Sequence, residues 1–369
     1  MTKTVAIDAR WLVGGIGTYT ENLLQGLGNR ASGMEFHAIT RLANVARVKE
    51  FCSRVTVVDV PIYTVIEQLL IPRAARECDL LHVPHFNIPV LHRRPLVVSI
   101  MDVIHLRFPE YRNSLRSRMY GRPMLAAAAR RSDHIITVSN YSKAQIREVL
   151  GTPESKISVI HCGVDSRFHQ DGNSQNSRSA AEVLGIRGPY LLYVGNLKPH
   201  KNVVTLLRAF ARLRTADKIP HSLLIVGDDV RWKRPILEEC EGLGIRGSTV
   251  FAPYVAPEVL PKIYAGADLL VMPSMVEGFG LPVLEAMACG TPVLSSNAAS
   301  LPEVAGDAAV YFDPASDEEL AWQILRILES GDLRESLRIL GLQRVKKFSW
   351  QDSVRKHIEI YRQFSGVNL

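Results

Sequence analysis

One stretch of this chain decides its fold: Pro273-Ser-Met-Val-Glu277-Gly-Phe-Gly280-Leu-Pro-Val-Leu-Glu285-Ala-Met-Ala-Cys-Gly290-Thr-Pro-Val-Leu294. It follows a short apolar run at 269–272 that predicts a buried strand. Proline is tolerated in the first turn of a helix and glycine is common just past the last turn, so Pro282 and Gly290 predict a helix between them. A strand, a glycine-rich loop and a helix in this order are typical of an α/β domain.

The same stretch carries candidate chemistry. Gly278 and Gly280 allow a ligand to approach the backbone closely, and the start of the helix offers unpaired N–H groups to an anion. Glu277 lies on the glycine loop, which we expect to be flexible, and Glu285 lies about one turn inside the helix. Carboxylates bind sugar hydroxyls and stabilise positive charge on a sugar ring. Each glutamate taken alone is explained as a loop acid or a helix-start acid, but the pair with its glycines indicates a sugar site beside an anion site.

Short apolar runs alternate with helical patterns on both sides of this stretch. The predicted strands of the first half lie at 4–10, 55–60, 80–83, 96–100, 134–138 and 157–160, and those of the second half at 190–194, 222–226, 249–251, 269–272 and 292–294. A glycine turn, Gly14-Gly-Ile-Gly17, is predicted before a helix at 18–27. Further helices are predicted at 203–214, 234–243, 258–264, 282–288 and through most of 317–369. Alternating strands and helices predict parallel sheets covered on both faces.

A polar run at 170–179 interrupts the alternation and predicts a loop or linker. The chain has 369 residues, which is too long for one ordinary core. We therefore predict two doubly wound domains, 1–170 and 171–348, followed by a C-terminal segment at 349–369. Open α/β sheets bind ligands at the carboxyl ends of their strands, so the active site is expected in a cleft between the two domains.

Composition excludes several classes of protein. Apolar residues make up 47% of the chain and charged residues 22%, as in ordinary globular proteins. Asp8 and Arg10 interrupt the first apolar run too early for a signal peptide, and no stretch is apolar enough to span a membrane, so we expect a cytoplasmic protein. The five cysteines are scattered without a Cys-x-x-Cys pair, which argues against a disulfide framework and against a zinc site.

Positive charge is concentrated in the first half. Residues 1–170 carry a net charge of +8, whereas residues 171–369 carry −1. Seven arginines cluster with only Glu110 to oppose them: Arg107, Arg112, Arg116, Arg118, Arg122, Arg130 and Arg131. The asymmetry suggests an anionic partner, and an anionic lipid, a lipid-diphosphate acceptor and a nucleic acid all fit, as does a solvated arginine-rich face without a partner. No interleaving of aromatic and basic residues supports nucleic-acid binding.

The spacing of Glu277 and Glu285 resembles the Glu-x7-Glu motif of retaining glycosyltransferases, and the surrounding residues resemble glycosyltransferase family 4. The resemblance runs from Asp8 to about Trp350. It implies the GT-B fold, in which two Rossmann-like domains face a central cleft and the last helix crosses back to the N-terminal domain. It also implies that Glu277 contacts the transferred sugar and that Glu285 holds the nucleotide ribose.

Other segments resemble donor-binding parts of the family. Tyr193-Val-Gly195-Asn196-Leu-Lys-Pro-His-Lys201-Asn202 is similar to the strand, loop and helix whose lysine grips the donor diphosphate; relatives often have arginine where this chain has His200. Gly14-Gly15-Ile-Gly17 resembles the N-terminal loop that approaches the donor phosphates. The resemblance thus implies donor binding by Gly15, Gly17, Asn196, Lys201, Gly278, Phe279, Gly280, Leu281 and Glu285.

The acceptor side departs from the family pattern. In Ser99-Ile-Met101-Asp102-Val-Ile-His105, methionine stands where many relatives have a histidine that contacts the transferred sugar. Asp102 and His105 remain as the candidate catalytic groups there beside Glu277, although a structural role fits His105 equally well. Thr137-Val-Ser139-Asn-Tyr-Ser142 resembles a segment that lines the family's cleft, but a serine there is also explained as the N-cap of a helix from Lys143.

The function that this resemblance implies is retaining transfer of a hexosyl group to a saccharide or lipid-linked acceptor. GDP-mannose is the expected donor and a UDP sugar comes second. We expect no cofactor or metal, no nucleic-acid partner, and contact with an anionic membrane at its inner face through the N-terminal domain. The alternatives are a protein that binds a sugar nucleotide without transferring sugar, and another GT-B reaction such as that of a phosphorylase or an epimerase.

Overall fold

The computed structural model describes residues 2–28, 33–107, 115–170 and 174–366. The chain divides into two compact units. Unit 1 comprises Met1–Gly163 with Ser349–Leu369, and unit 2 comprises Val164–Phe348. The sequence predicted boundaries after residues 170 and 348, so the first boundary of the structure comes earlier in the chain than the predicted one.

Unit 1 is built on a seven-stranded sheet whose order is β3-β2-β1-β4-β5-β6-β7, with every neighbouring pair parallel. The central strands are short and apolar, and residues such as Val5 and Ile7 have no exposed surface, as expected for a sheet covered on both faces. The elements are β1 Lys3–Asp8, α1 Gly14–Gly28, β2 Met34–Thr40, α2 Val45–Lys49, β3 Arg54–Val57, α3 Glu67–Ala74, β4 Leu80–Val83, β5 Leu96–Ser99, α4 Ile104–Arg107, α5 Leu115–Arg131, β6 His134–Thr137, α6 Asn140–Leu150 and β7 Ile157–Val159.

Unit 2 repeats this plan with six parallel strands in the order β10-β9-β8-β11-β12-β13. Its core is formed by buried strand residues and by the apolar face of the helix that follows β8, including Leu206 and Phe210. The elements are α7 Ser174–Val183, β8 Tyr190–Val194, α8 Val203–Thr215, β9 Ser222–Val226, α9 Lys233–Gly242, β10 Thr249–Ala252, α10 Leu260–Gly266, β11 Leu269–Met272, α11 Leu281–Ala288, β12 Val293–Ser296, α12 Leu301–Ala305, β13 Val310–Phe312, α13 Asp317–Glu329 and α14 Gly331–Arg344.

Each sheet reverses its strand order at one point. In unit 1 the order reverses between β1 and β4, and in unit 2 it reverses between β8 and β11. The loops that leave the two strands at such a switch point turn to opposite faces of the sheet, which opens a crevice beyond the strand ends. The topology therefore marks one crevice in each unit as a candidate ligand site.

The last helix, α15 Trp350–Phe364, belongs to unit 1. Ser349 caps it by accepting hydrogen bonds from the backbone N–H groups of Gln351 and Asp352. It packs on α1 so closely that a Cβ atom built on Gly26 would lie 2.4 Å from a methyl group of Val354. The C-terminal segment predicted at 349–369 therefore contains a helix that packs against the N-terminal part of the chain.

A buried chain of hydrogen bonds ties α15 to this sheet. The Nδ1–H of His357 donates to the Ser353 carbonyl (2.7 Å), so its Nε2 accepts from the Tyr19 hydroxyl (2.6 Å). Tyr19 then accepts from Ser99 (2.9 Å), and Ser99 accepts from the Nε2–H of His82 (2.8 Å). The Nδ1 of His82 accepts from the Tyr361 hydroxyl (2.7 Å). Burial lowers the pKa of both histidines, so both rings are neutral near pH 7 and each carries one hydrogen in this chain.

The structure confirms several predicted strands at their exact bounds and corrects other elements. The predictions at 80–83, 190–194, 222–226 and 269–272 match β4, β8, β9 and β11. The polar run at 170–179 is not wholly a loop, because Ser174–Val183 is helical. The glycines of Gly14-Gly-Ile-Gly17 lie in the first turn of α1 instead of a separate turn.

Two strands escaped prediction. β2 was missed because Glu35 and His37 interrupt its apolar residues, yet His37 is buried and its ring bonds to Thr56 on β3 (2.8 Å). β13 has only three residues. The five cysteines are all buried and none is in a disulfide. Among the described helices, none is long and apolar enough to cross a bilayer.

Candidate active site

The candidate site of unit 2 lies at its switch point. The loop after β8 carries Asn196 and Lys201, and the loop after β11 carries Glu277. The two loops are joined where the N–H of Met275 donates to the carbonyl of His200 (2.8 Å). Residues 76 positions apart in sequence are thus placed side by side by the pairing of β8 with β11.

Lys201 and Glu277 form a direct ion pair. The lysine nitrogen lies 2.7 Å from one carboxylate oxygen and 2.8 Å from the other. The Ser274 hydroxyl donates a third hydrogen bond to the same carboxylate (2.7 Å). Only 15% of the lysine side chain and 9% of the glutamate side chain are exposed. The positive charge of Lys201 is therefore matched by Glu277 in a setting where water screens it weakly.

The loop that carries Glu277 is held firmly in place. The Ser300 hydroxyl lies 3.0 Å from the carbonyl oxygens of both Glu277 and Phe279, and the Ser296 hydroxyl donates to the carbonyl of Ser274. The side-chain amide of Asn202 donates to the carbonyl of Pro273 (3.0 Å). Buried hydroxyl and amide donors satisfy the backbone carbonyls of this loop, which favours an ordered loop over the flexible one expected from its glycines. Such pinning pre-organises the carboxylate.

His200 replaces a residue that is often arginine in the family, and it carries no charge here. Its side chain is buried. Burial and the adjacent Lys201 lower the pKa of His200 to about 4, so the ring is neutral near pH 7. Lys201 is then the less exposed cation of this loop, with 15% of its side chain exposed, while Lys198 is exposed.

The residues predicted between the two glutamates lead into α11, and only Leu281 belongs to the helix. Gly280 precedes the helix with φ of 107°, a conformation that glycine favours, and a Cβ atom there would lie 2.8 Å from a methyl carbon of Leu301. Leu281 is the first helical residue, and among the described residues no side chain makes a capping hydrogen bond at this end. Phe279 is 6% exposed and packs edge-on against Phe348 at 5.9 Å between ring centroids. Phe279 therefore serves the packing of the loop.

Glu285 lies on α11 and has a different environment from Glu277. The Tyr264 hydroxyl donates to its carboxylate (2.7 Å). Burial, with a smaller contribution from Asp165, raises the pKa of Glu285 to about 7, and the bond from Tyr264 acts in the opposite direction. The two carboxylates therefore differ: Glu277 is paired with a cation, whereas Glu285 bonds to a neutral phenol.

Asn196 follows β8 and shapes the loop that leads to Lys201. Its side-chain oxygen accepts from the N–H of Lys198 (3.2 Å), and its carbonyl accepts from the Tyr193 hydroxyl (2.6 Å). These bonds explain Asn196 as a loop-forming residue. Its predicted contact with a donor stays a prediction.

The remaining predicted residues lie in unit 1. Gly17 is buried, and a Cβ atom there would lie 2.4 Å from the backbone of Leu12, so glycine is required for packing. Gly15 is exposed with open space around it. Asp102 accepts a hydrogen bond from the N–H of Ile104 at the start of α4 (3.0 Å). The ring of His105 stacks on Phe86 at 4.9 Å.

The predicted residues thus fall into two groups. Unit 2 brings Lys201 and Glu277 into contact, with Asn196 and Glu285 on the adjacent loop and helix. Gly15, Gly17, Asp102 and His105 belong to the other unit. The serine N-cap of the 137–142 segment is Ser139, which accepts from the N–H of Ser142 (3.0 Å), and the helix starts at Asn140, three residues before the predicted start.

Sequence reasoning missed the supporting residues of unit 2, namely Ser274, Ser296, Ser300 and Tyr264. Serine and tyrosine are common, and their role arises from contacts across the sheet. Tyr264 lies 21 residues before Glu285, and only the packing of α10 on α11 brings the two together. The Pro273-Ser274 dipeptide before Glu277 was the one available signal.

The arginine cluster is only partly described. Arg107 pairs with Glu148 at 3.0 Å, and Arg122, Arg130 and Arg131 are exposed. Glu110 and Arg112 lie outside the described residues, as do the side chains of Arg116 and Arg118.

Two family models match the chain. Residues 178–343 match the model for glycosyl transferases group 1, and residues 13–168 match the model for glycosyltransferase family 4. The chain is 33% identical to O-antigen chain mannosyltransferase B of Escherichia coli over 295 residues, covering 76% of this chain and 73% of that protein. It is 29% identical to O-antigen chain mannosyltransferase RfbU of Salmonella typhimurium over 240 residues, which cover 65% of this chain and 61% of that one.

The fold is also found among solved structures. HepE of Anabaena, determined in complex with UDP and glucose, matches 98% of this chain and 100% of its own with a TM-score of 0.80 at 19% identity. WaaG, a glycosyltransferase involved in lipopolysaccharide biosynthesis, matches 96% of this chain and 99% of its own with a TM-score of 0.74 at 18% identity. These structures share the two-domain GT-B fold.

Proposed function

This chain belongs to the group 1 and family 4 glycosyltransferases, and we propose that it transfers a hexosyl group from a nucleotide-diphosphate sugar with retention of configuration. The proposed acceptor is a saccharide or a lipid-linked saccharide in glycan assembly. The observation that carries the proposal is the pre-organised pair of Lys201 and Glu277 at the switch point of unit 2.

The proposed donor is GDP-mannose. Support comes from the mannosyltransferase relatives of Escherichia coli and Salmonella typhimurium. A UDP sugar is the second candidate, because HepE was determined with UDP and with UDP-glucose. The nucleotide base of the donor is tested with nucleoside diphosphates, and the donor sugar is tested with sugar nucleotides.

Lys201 is proposed to bind the donor diphosphate. Its charge already lies at the carboxyl edge of the sheet, close to the loop that leads into α11. A diphosphate placed there would attract the lysine nitrogen and the N–H groups at the start of α11. Glu277 would then be released from its ion pair to accept hydrogen bonds from hydroxyls of the transferred sugar. In this proposal the ion pair of Lys201 and Glu277 is replaced by two separate ligand contacts.

Glu285 is proposed to hold the nucleotide ribose. A carboxylate accepts from two neighbouring hydroxyls, and the ribose of a nucleotide presents such a pair. Tyr264 fixes the carboxylate through one oxygen, which leaves the second oxygen for the ribose. The position of Glu285 on a rigid helix suits a group that binds without taking part in the chemistry.

Retention is proposed to occur by front-face substitution. The bond between the anomeric carbon and the leaving phosphate oxygen breaks, the acceptor oxygen bonds to the same face of that carbon, and the acceptor proton passes to the leaving phosphate. Lys201 stabilises the negative charge that develops on the diphosphate, and Glu277 stabilises the positive charge on the sugar. No cofactor or metal is required in this scheme.

Unit 1 is proposed to bind the acceptor. Asp102 and His105 follow β5 at the carboxyl edge of its sheet, and they are the candidates for contacts with the acceptor. The net charge of residues 1–170 and the exposed Arg122, Arg130 and Arg131 support a further proposal, contact with an anionic membrane surface. Binding to vesicles that does not change when anionic lipid is added would contradict that contact.

A thermal-shift panel of nucleoside diphosphates and sugar nucleotides tests the proposal. A ligand at 100 times its dissociation constant stabilises a protein by about 2.7 kcal/mol, so the correct base gives a clear shift. We expect the largest shifts from GDP and GDP-mannose. A panel without any shift would contradict a sugar-nucleotide site.

A further inference from the structure

The switch point of unit 1 is lined by aromatic rings that the proposed reaction does not yet use. Trp11 follows β1, and His85 and Phe86 follow β4, so neighbouring parallel strands deliver their rings to the same edge. The ring of Trp11 stacks on His85 at 5.8 Å between centroids with an interplanar angle of 19°. We define the aromatic cluster as Trp11, Tyr63, His85, Phe86 and Tyr120.

Tyr63 connects the rings of the cluster. Its ring centroid lies 6.3 Å from that of Trp11, 5.8 Å from that of His85 and 5.6 Å from that of Tyr120, each in an edge-on arrangement. Its side chain is 43% exposed. Its backbone has φ of 68°, which a bulky residue rarely adopts. Strain held at a ligand-accessible ring is a feature typical of functional sites.

A buried polar hub fixes the cluster from beneath. The carboxylate of Glu67 accepts from the guanidinium of Arg10 (2.9 Å), the amide of Asn87 (2.8 Å) and the backbone N–H of Thr64 (3.1 Å). Each of these donors is next in sequence to a ring of the cluster. Arg10 precedes Trp11, Asn87 follows Phe86, and Thr64 follows Tyr63. The hydroxyl of Tyr120 also donates to Asn87.

The charges of the hub are buried and paired with one another, so they are not presented at the surface of the aromatic cluster. Both Glu67 and Asp8 are paired with Arg10, and all three are buried. The Nδ1 of His85 accepts from the N–H of Asn87 (3.2 Å), so its hydrogen is on Nε2, 3.3 Å from the Tyr63 oxygen. Burial lowers the pKa of His85 to about 3, and burial raises the pKa of Tyr63 to about 12.

Tyr63 therefore has a hydroxyl hydrogen to offer. Its oxygen accepts from His85, which directs its own O–H elsewhere, and within the described part of the chain no acceptor for that hydrogen is recorded. The indole N–H of Trp11 likewise has no recorded partner among the described residues. The cluster combines flat apolar faces with two neutral donors and lacks an exposed charge.

We propose that the aromatic cluster binds an uncharged pyranose ring of the glycan acceptor, with the sugar's C–H face on Trp11 and Tyr63 and its hydroxyls at their donors. This rests on the proposed function, since it assigns a class to that reaction's acceptor. A pyranose presents apolar C–H faces and hydroxyl edges, which aromatic sites with a few polar groups match. Arg10, the cation that the structure describes beneath the cluster, is buried and paired with both Asp8 and Glu67, so it does not offer its charge to a phosphate.

Saturation-transfer NMR with methyl α-D-mannopyranoside, methyl α-D-glucopyranoside and methyl β-D-galactopyranoside tests the proposal on the whole chain. We expect at least one glycoside to receive saturation on one ring face in the native protein. Trp11→Ala should weaken that binding about tenfold, a loss typical of a stacking contact, and Trp11→Phe should restore part of it. Trp322→Ala is the matched control, because Trp322 is an exposed tryptophan of unit 2 (56%).

Tyr63→Phe is the second variant, with exposed Tyr254→Phe as its control. It keeps the ring and removes the donor, so the KM for the acceptor should rise while the KM for the sugar nucleotide stays unchanged. Native protein without a glycoside signal, or equal signals in native protein and Trp11→Ala, would overturn the proposal. The thermal shift with nucleotide is measured on the same samples: its presence shows that the donor-site proposal survives, and its absence in native protein would mean that the proposed function itself has failed.

Discussion

The ammonium nitrogen of Lys201 lies within hydrogen-bond distance of both carboxylate oxygens of Glu277, at 2.7 Å and 2.8 Å. Separating an ion pair that is so little exposed leaves unpaired charges away from water, which costs free energy. The cost is avoided if a ligand takes the place of one member or if the loop opens to solvent. The loop is pinned by Ser300 and Ser296. We therefore infer that ligand binding, and not loop opening, separates the pair.

Lys201→Ala is predicted to weaken binding of the nucleoside diphosphate at least tenfold. A hydrogen bond to a charged group contributes about 1.5–3 kcal/mol, which corresponds to roughly tenfold to a hundredfold in affinity. Titration calorimetry with GDP measures the change. Lys198→Ala is the matched control, because Lys198 lies on the same loop and is exposed; equal losses in both variants would indicate a general charge effect.

The affinity for a sugar nucleotide is predicted to rise with pH through about 7. Burial raises the pKa of Glu285 to about 7, so the group is protonated below that pH and is a carboxylate above it. Only the carboxylate has two oxygens free of hydrogen to accept from Tyr264 and from ribose hydroxyls. Tyr264→Phe removes a bond that lowers the pKa, and it should therefore move the midpoint to higher pH. A pH dependence that persists in Glu285→Gln would assign it to another group.

Transfer is predicted to continue when divalent cations are removed. In the proposed scheme Lys201 and the start of α11 stabilise the leaving diphosphate, which is the task a metal ion performs in other transferases. Activity is compared in buffer with excess chelator and in buffer with added Mg²⁺. Loss of activity in chelator, with recovery when the metal is added back, would overturn the metal-free scheme.

Acid is predicted to destabilise the contact between α15 and the sheet of unit 1. Burial lowers the pKa of His357 to about 4 and that of His82 well below its usual value, while both recover a pKa near 6.5 on unfolding. The unfolded chain then binds more protons below pH 6.5, so stability is lost as pH falls. Each histidine contributes up to about 1.4 kcal/mol per pH unit.

Denaturant titrations at several pH values between 7.5 and 5 measure this loss. His357→Gln keeps an acceptor for Tyr19 but does not titrate, so its stability should fall less steeply with acid than that of the native protein. His169→Gln, at an exposed histidine, should leave the slope unchanged. Identical slopes in all three proteins would show that the buried network does not titrate in this range.

Sequence patterns predicted most strands of both sheets, because short apolar runs bounded by turns are decided locally. They failed where long-range packing overrides local composition. His37 is polar in sequence but is buried, and part of the polar run at 170–179 lies in the helix Ser174–Val183, which packs on α10. Neither effect can be inferred from a window of neighbouring residues.

The chemistry was predicted unevenly for the same reason. The motif marked Glu277, Glu285 and Lys201 as donor-site residues, but it did not reveal that two of them pair directly, since that contact depends on the adjacency of β8 and β11. The aromatic cluster was not predicted at all. Trp11, Tyr63 and Tyr120 are far apart in sequence, and the fold alone brings them together.

The central claim is that Glu277 acts on the transferred sugar beside a diphosphate held by Lys201. The most direct measurement is the rate of sugar transfer by Glu277→Gln, which keeps the shape of the side chain and removes its charge. The account predicts at least a ~100-fold lower transfer rate with nucleotide binding retained, a loss typical of missing transition-state electrostatics. Glu238→Gln, at an exposed glutamate that pairs with Arg234, should transfer normally. Near-native turnover in Glu277→Gln would contradict the account.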